Sequence, residues 1–351
     1  MNLFDVRGSA ATFSLATIPL LLAVSATAAS TDHATVPPAY LAYYEEDGGS
    51  SSTALHQRNA YFNQIATDSF AVNSSGKVSG DAPAADVKFA AGLGMQRYAV
   101  VSNFEGSDFN TSIAHAIVTK PKAITTMTAG MFDLMAANGY TGINIDFEAV
   151  DPKDRKAFSA FVDTVAKAAH AKGYQVAVSV PAELRDDPTD DWTGAFDFAA
   201  LGQSADVIQL MTYDENGPWG DPGPVAGLDW VGSSVKYAVS VVPSSKVSLG
   251  VPAYGYDWDL TDSTQSTQIP WTSIASTLQA TGAVPQWDQA TSSPHFTYTA
   301  SGHKHVVWYE NQQSLAAKSA LVSDYALAGI SVYALGMEDQ AFWQALQSPA
   351  H

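Results

Sequence analysis

Eight strand-like runs alternate with helix-like runs between Ala39 and Leu346, and few architectures accept that rhythm. The runs are Ala39–Tyr44, Ser69–Val72, Arg97–Phe104, Ile143–Glu148, Tyr174–Val180, Ala205–Tyr213, Val247–Tyr254 and Gly329–Leu335. Phe158, Phe161, Val162 and Val165 repeat at helical spacing between the fourth and fifth. Pro121 and Gly139 bracket the helix expected before the fourth. The pattern predicts an α/β fold, a (β/α)8 TIM barrel. An open doubly wound sheet is the competitor, but no G-x-G-x-x-G follows the first run. Residues 261–307 break the rhythm and are expected to form a small α+β insertion between strands seven and eight.

The chain has 351 residues, 46% of them hydrophobic and 15% charged, enough for one large core over residues 39–351. Its 17 Lys and Arg face 35 Asp and Glu, a formal charge of -18. That balance argues against nucleic acid, whose phosphates need cations, and against anionic lipid. Arg7, the apolar run from Ala10 to Val24 and Ala26-Thr-Ala28 resemble a cleavable leader over residues 1–28. A linker over 29–38 would follow, and the mature protein is expected to be secreted, extracellular or periplasmic. A membrane anchor or a disordered leader is the alternative. There is no cysteine, so the core alone must hold the fold.

Within the fourth run, Ile143, Ile145 and Phe147 alternate with Asn144, Asp146 and Glu148. A strand places the two carboxyls on one face, about 6–7 Å apart at Cα. Burying such groups is costly unless they are needed. Like charges so close raise one pKa, which leaves a carboxyl able to donate a proton near neutral pH. Glu148, at the strand end where a barrel opens, is the candidate acid. Asp146 lies below it, and Asn144 deeper still. A polar network inside the barrel, or a metal held by Asp146 and Glu148, is the competing reading. The sequence has no H-E-x-x-H pattern, and neither metal nor cofactor is expected.

A second cluster is Gln209-Leu-Met-Thr-Tyr-Asp-Glu215. Gln209, Met211 and Tyr213 share a face by strand parity, with Asp214 and Glu215 beside them. Tyr213 can offer its hydroxyl to a substrate oxygen. Tyr44, Phe104, Trp219, Tyr254, Tyr256, Trp308 and Tyr333 lie near strand ends or in long connections, where rings can stack on sugars. Together with Asn144, Gln209, Met211 and Glu215 they are the candidate substrate contacts. Trp230 opens a helix and His305 sits in a strand-like run, so both are expected to be structural.

These residues resemble a known family. Gly142-Ile-Asn-Ile-Asp-Phe-Glu148 is similar to the D-G-x-D-x-D-x-E signature of the family 18 glycoside hydrolases, the chitinase family. Gln209-x-Met-x-Tyr-Asp214 and Gly329-Ile-Ser-Val-Tyr-Ala-Leu-Gly-Met-Glu338 extend the likeness. Met211-Thr-Tyr-Asp-Glu-x-Gly-Pro-Trp-Gly and Val307-Trp-Tyr-Glu-Asn311 resemble the branch of bacterial spore-cortex-lytic and germination enzymes. The chain departs from the signature at Thr141 and Asn144, where the family carries acids, and at Tyr333, where a tryptophan is usual.

The resemblance implies retaining, substrate-assisted cleavage of an N-acetylated polysaccharide or oligosaccharide. In that scheme Glu148 is acid and then base. Asp146 orients the substrate acetamido group, Tyr213 bonds its oxygen, and Asp214 helps hold the sugar. Peptidoglycan is the expected substrate, chitin or its oligomers the alternative, and a non-catalytic glycan binder the second alternative. A monomer is expected.

Overall fold

The computed structural model describes residues 38–45 and 48–348. The expected leader, and all of the expected linker except Pro38, lie outside them. Eight parallel strands close into a barrel: β1 (Ala39–Glu45), β2 (Gln64–Val72), β3 (Gln96–Ser102), β4 (Gly142–Asp146), β5 (Gln175–Pro181), β6 (Val207–Met211), β7 (Val247–Pro252) and β8 (Gly329–Tyr333). Each pairs with its sequence neighbours, and β1 closes on β8 through Tyr40↔Ile330 and Ala42↔Val332. The expected barrel is therefore the observed fold.

Strand parity divides two cores. Ile143 and Ile145 face the helix layer, fully buried, as do Val176, Val178 and Val180 on β5. Phe147, just past β4, stacks on Phe161 of the Arg155–His170 helix, centroids 5.3 Å apart. That helix buries Phe158, Phe161, Val162 and Val165, the stripe its spacing predicts. Each buried phenylalanine contributes about 2–3 kcal/mol of transfer free energy. The barrel interior is smaller, filled by Leu41, Tyr43, Ala66, Tyr98, Val100 and Ala177. Gly142 leaves room for it: a Cβ there would meet the Tyr98 ring at 2.6 Å.

The helix over Pro121–Asn138 has Pro at its first turn, and Gly139 ends it in the left-handed region at φ 78. Strand two starts five residues before its expected start, because polar Gln64, Thr67 and Asp68 hide the alternation that pairing with β1 and β3 satisfies. Strand four ends at Asp146, so Glu148 stands beyond the ladder, not in it.

The insertion begins earlier than expected. Its five-stranded antiparallel sheet runs in the order Thr267–Pro270, Tyr254–Asp259, His303–Trp308, Ser293–Ala300, Gln286–Asp288. Tyr254, Tyr256 and Trp258 therefore belong to the insertion, not to the end of β7. No helix among the described residues is long and apolar enough to cross a membrane.

Candidate active site

Asn103 follows β3 and is fully buried. Its Oδ1 accepts the Glu148 backbone N–H at 3.0 Å, and its Nδ2 donates to the Glu148 carbonyl at 2.8 Å. One side chain thus supplies the ladder that β4 no longer provides, and it fixes the acid at the mouth. The same Nδ2 donates to Asn110 O, tying in the start of the next helix.

Burial pushes the Glu148 pKa up to about 9, with the charges of Asp146, Asp214, Asp68 and Asp108 adding to the rise. Asp146 is raised to about 6, by burial first, and a hydrogen bond from Ser179 opposes the rise. Near neutral pH the upper carboxyl therefore keeps its proton while the lower one is largely ionised. Below them Asn144 is wholly buried and neutral. Its Oδ1 accepts the Tyr43 hydroxyl at 2.6 Å, and its Nδ2 donates to Ser179 Oγ at 3.0 Å. An amide satisfies both partners there without a third charge.

Across the mouth, Tyr213 packs beside Gly250, where a Cβ would meet its ring at 2.9 Å. The next residue, Asp214, takes φ 60, a left-handed conformation that costs about 1 kcal/mol outside glycine. That turn aims its carboxylate at the insertion. Tyr254 and Tyr256 donate their hydroxyls to Asp214 Oδ1 at 2.7 and 2.8 Å. Asp214 keeps an exposed edge, yet burial of its carboxylate raises its pKa, a rise that the hydrogen bonds from Tyr254 and Tyr256 oppose. Tyr333, which ends β8, donates to Glu45 at the end of β1.

The structure gathers Glu148, Asp146, Tyr213 and Asp214 through shared electrostatic or ring contacts. Tyr254, Tyr256 and Tyr333 join them. Phe104 is exposed on a hairpin with Phe109, and Trp219 is exposed with its edge on Tyr256. Trp308 pairs with Tyr256 across the insertion sheet and stacks on His295 at 4.4 Å. Met211 ends β6 half-buried. Glu215 accepts the Gly227 N–H and so ties its own loop.

Three expected sugar contacts fall elsewhere, and the first is Asn144, wholly buried below the acids with its amide bonded to Tyr43 and Ser179. Tyr44 points outward and donates to Asp86 under the helix layer, because β1 turns Leu41 and Tyr43 inward. Gln209 is 1% exposed, inside the barrel, donating to Ser331 Oγ at 2.9 Å. The expected packing role of Trp230 and structural role of His305 fit their settings, on the core and on Asp257. Asp68, Glu45 and Asn103 are site residues outside the set of candidate contacts, although Glu45 and Asn103 fall at strand ends, where a barrel mouth is expected. Nothing in the local pattern marks Asp68, which lies within β2 and reaches the mouth through its register with Glu45.

A barrel that opens onto a protonated carboxyl above an ionised one has the parts for acid–base chemistry at its mouth, and the family match makes this protein a glycoside hydrolase. Residues 39–338 match the family described as Glycosyl hydrolases family 18, and the chain belongs to it. An uncharacterized glycosylase, YvbX, of Bacillus subtilis (strain 168) is 40% identical over 307 residues, covering 87% of this chain and 89% of that protein. The cortical fragment-lytic enzyme of the same organism is 27% identical over 252 residues, 70% of this chain but 58% of that protein. The crystal structure of a chitinase from Chromobacterium violaceum ATCC 12472 superposes with a TM-score of 0.83 at 39% identity, covering 88% of this chain and 98% of that one.

Proposed function

We propose that this protein is an exported hydrolase that cuts β-1,4 bonds after N-acetylglucosamine in peptidoglycan or a related glycan. The observation that carries the reading is the graded pair, Glu148 raised to about 9 over Asp146 at about 6. Glu148 donates its proton to the leaving glycosidic oxygen. The acetamido oxygen of the substrate attacks the anomeric carbon as that bond breaks, giving a cyclic oxazolinium ion. Asp146, ionised, accepts the acetamido N–H and balances the positive charge. Tyr213 donates to the acetamido oxygen, and Asp214 holds the sugar on the opposite wall. Glu148, now a carboxylate, takes a proton from water as that water attacks, and the configuration is retained.

Likeness to a cortical fragment-lytic enzyme supports the peptidoglycan reading. A second reading, hydrolysis of chitin oligomers, is supported by 39% identity to a protein titled a chitinase. Export rests on the leader-like stretch that ends at Ala26-Thr-Ala28. Purified peptidoglycan and N-acetylglucosamine oligomers, incubated in parallel with the enzyme, separate the readings. New N-acetylglucosamine reducing ends from peptidoglycan support the first; release from the oligomers alone supports the second. Binding without release from either would overturn hydrolysis.

A further inference from the structure

A cavity of about 580 Å³ opens beside the catalytic pair, over the ends of β1, β2 and β3. It joins the site through two residues. Ser102 pairs in register with Asp146, and Tyr333 stacks on Tyr213 with centroids 5.8 Å apart. Phe104 and Phe109, edge to face at 5.4 Å, form an aromatic rim. The space suits a sugar ring, and such rims pack against the apolar faces of sugars.

The charge of this cavity is one-sided. Asp68 and Glu45 both line it, and among the described residues no Lys, Arg or His does. Glu45 is held at the wall by the Tyr333 hydroxyl. Asp68 makes no side-chain hydrogen bond with any described residue, although it is largely covered. The buried hydroxyl of Ser69, in the same wall, also has no partner among the described residues. Burial and the neighbouring Asp146 and Glu45 charges push the Asp68 pKa up to about 7, so this carboxylate is short of compensating charge.

A neutral N-acetyl group would leave that carboxylate uncompensated, and an anionic substituent would be repelled. An ammonium group would satisfy it with a charge-assisted hydrogen bond. We infer that the cavity is a subsite for a de-N-acetylated hexosamine, a sugar bearing a free ammonium group, in the chain beside the N-acetylated unit at the cut. Asp68 is its specificity-determining residue and Glu45 its second acceptor. The inference rests on the hydrolase reading above and names which glycans it favours: partly deacetylated ones.

The test uses β-1,4-linked tetramers of defined acetylation. Their binding to the full-length Glu148→Gln variant is followed by calorimetry. Tetramers mixing glucosamine and N-acetylglucosamine should bind about tenfold or more tightly than the fully acetylated tetramer, the gain of one charge-assisted hydrogen bond. Adding Asp68→Asn should remove that difference. Thermal unfolding is measured in parallel, and Glu45→Gln carries the comparison if Asp68→Asn does not fold. Equal affinities for the two tetramers, or a preference that survives both substitutions, would overturn the assignment. Cleavage of the fully acetylated tetramer by the unaltered enzyme, with equal affinities, sinks this inference alone. Failure to cleave any acetylated glycan sinks the parent reading, and the binding comparison still decides this one.

Discussion

Asn103 grips Glu148 by its backbone, accepting its N–H at 3.0 Å and donating to its carbonyl at 2.8 Å. The acid is therefore placed by a side chain from another strand end, since its own strand stops two residues earlier. Replacing Asn103 with alanine should remove both bonds and leave buried backbone groups unpaired, at about 2–3 kcal/mol. We expect kcat to fall more than about tenfold with KM little changed, because the loss is felt at the acid. Asn103→Asp, which keeps the acceptor but not the donor, should fall between the two. Steady-state kinetics with a denaturant titration of each variant checks this, and an unchanged kcat in the alanine variant would remove the positioning role.

Glu148→Gln should lower turnover by about 10²–10⁴-fold, the usual worth of a general acid. Its effect on stability has a defined sign. The folded pKa of Glu148 is raised, so between about 4.5 and about 9 the folded state holds more protons than the unfolded one. Glu148 then contributes stability at low pH that is lost as pH rises through this window. Glutamine carries no such dependence. The variant should gain on the wild type from pH 5 toward neutrality, as read by melting temperature at a series of pH values. A gap that stays constant would show that Glu148 is not perturbed.

The pH profile of kcat/KM should be bell-shaped. Activity should rise through about pH 6 as Asp146 ionises and fall through about pH 9 as Glu148 loses its proton. These two values belong to the pair as a unit. Asp68→Asn removes a negative charge that Glu148 feels, so the alkaline limb should move to lower pH. A limb that does not move on that substitution would disconnect Asp68 from the acid.

Tyr254 and Tyr256 both donate to Asp214 Oδ1, and both bonds favour its charged form. Tyr254→Phe or Tyr256→Phe should therefore raise the Asp214 pKa further. If the carboxylate holds the sugar, each variant should lose most activity on the acid side and recover part of it as pH rises. Each lost bond to a charged group corresponds to about 1.5–3 kcal/mol. Initial rates across pH 5 to 8 show whether the loss depends on pH, and a uniform loss would assign these hydroxyls to packing.

Much of the architecture was legible in the residues because it depends on short-range periodicity. Alternation made β4 and β5 recognisable, and the 3–4 spacing from Phe158 to Val165 made the helix after β4 recognisable. The acidic pair and the Tyr213–Asp214 wall were legible for the same reason, since each lies within a few residues of chain. Other features were not. Tyr43 and Tyr44 are adjacent and chemically identical, and only barrel closure decides that Tyr43 faces Asn144 while Tyr44 reaches Asp86.

The amino-acid sequence by itself determined the closed barrel, the acid at its mouth and the family to which it belongs. The tertiary structure alone decided what surrounds that acid. Asn103 comes from the end of β3 and Asp68 from within β2, and Tyr254 and Tyr256 come from an insertion that begins with them. The physical reason is that hydrogen bonding and charge act across space. Partners 40 or more residues apart meet only once strand register and the turn at Asp214 are set.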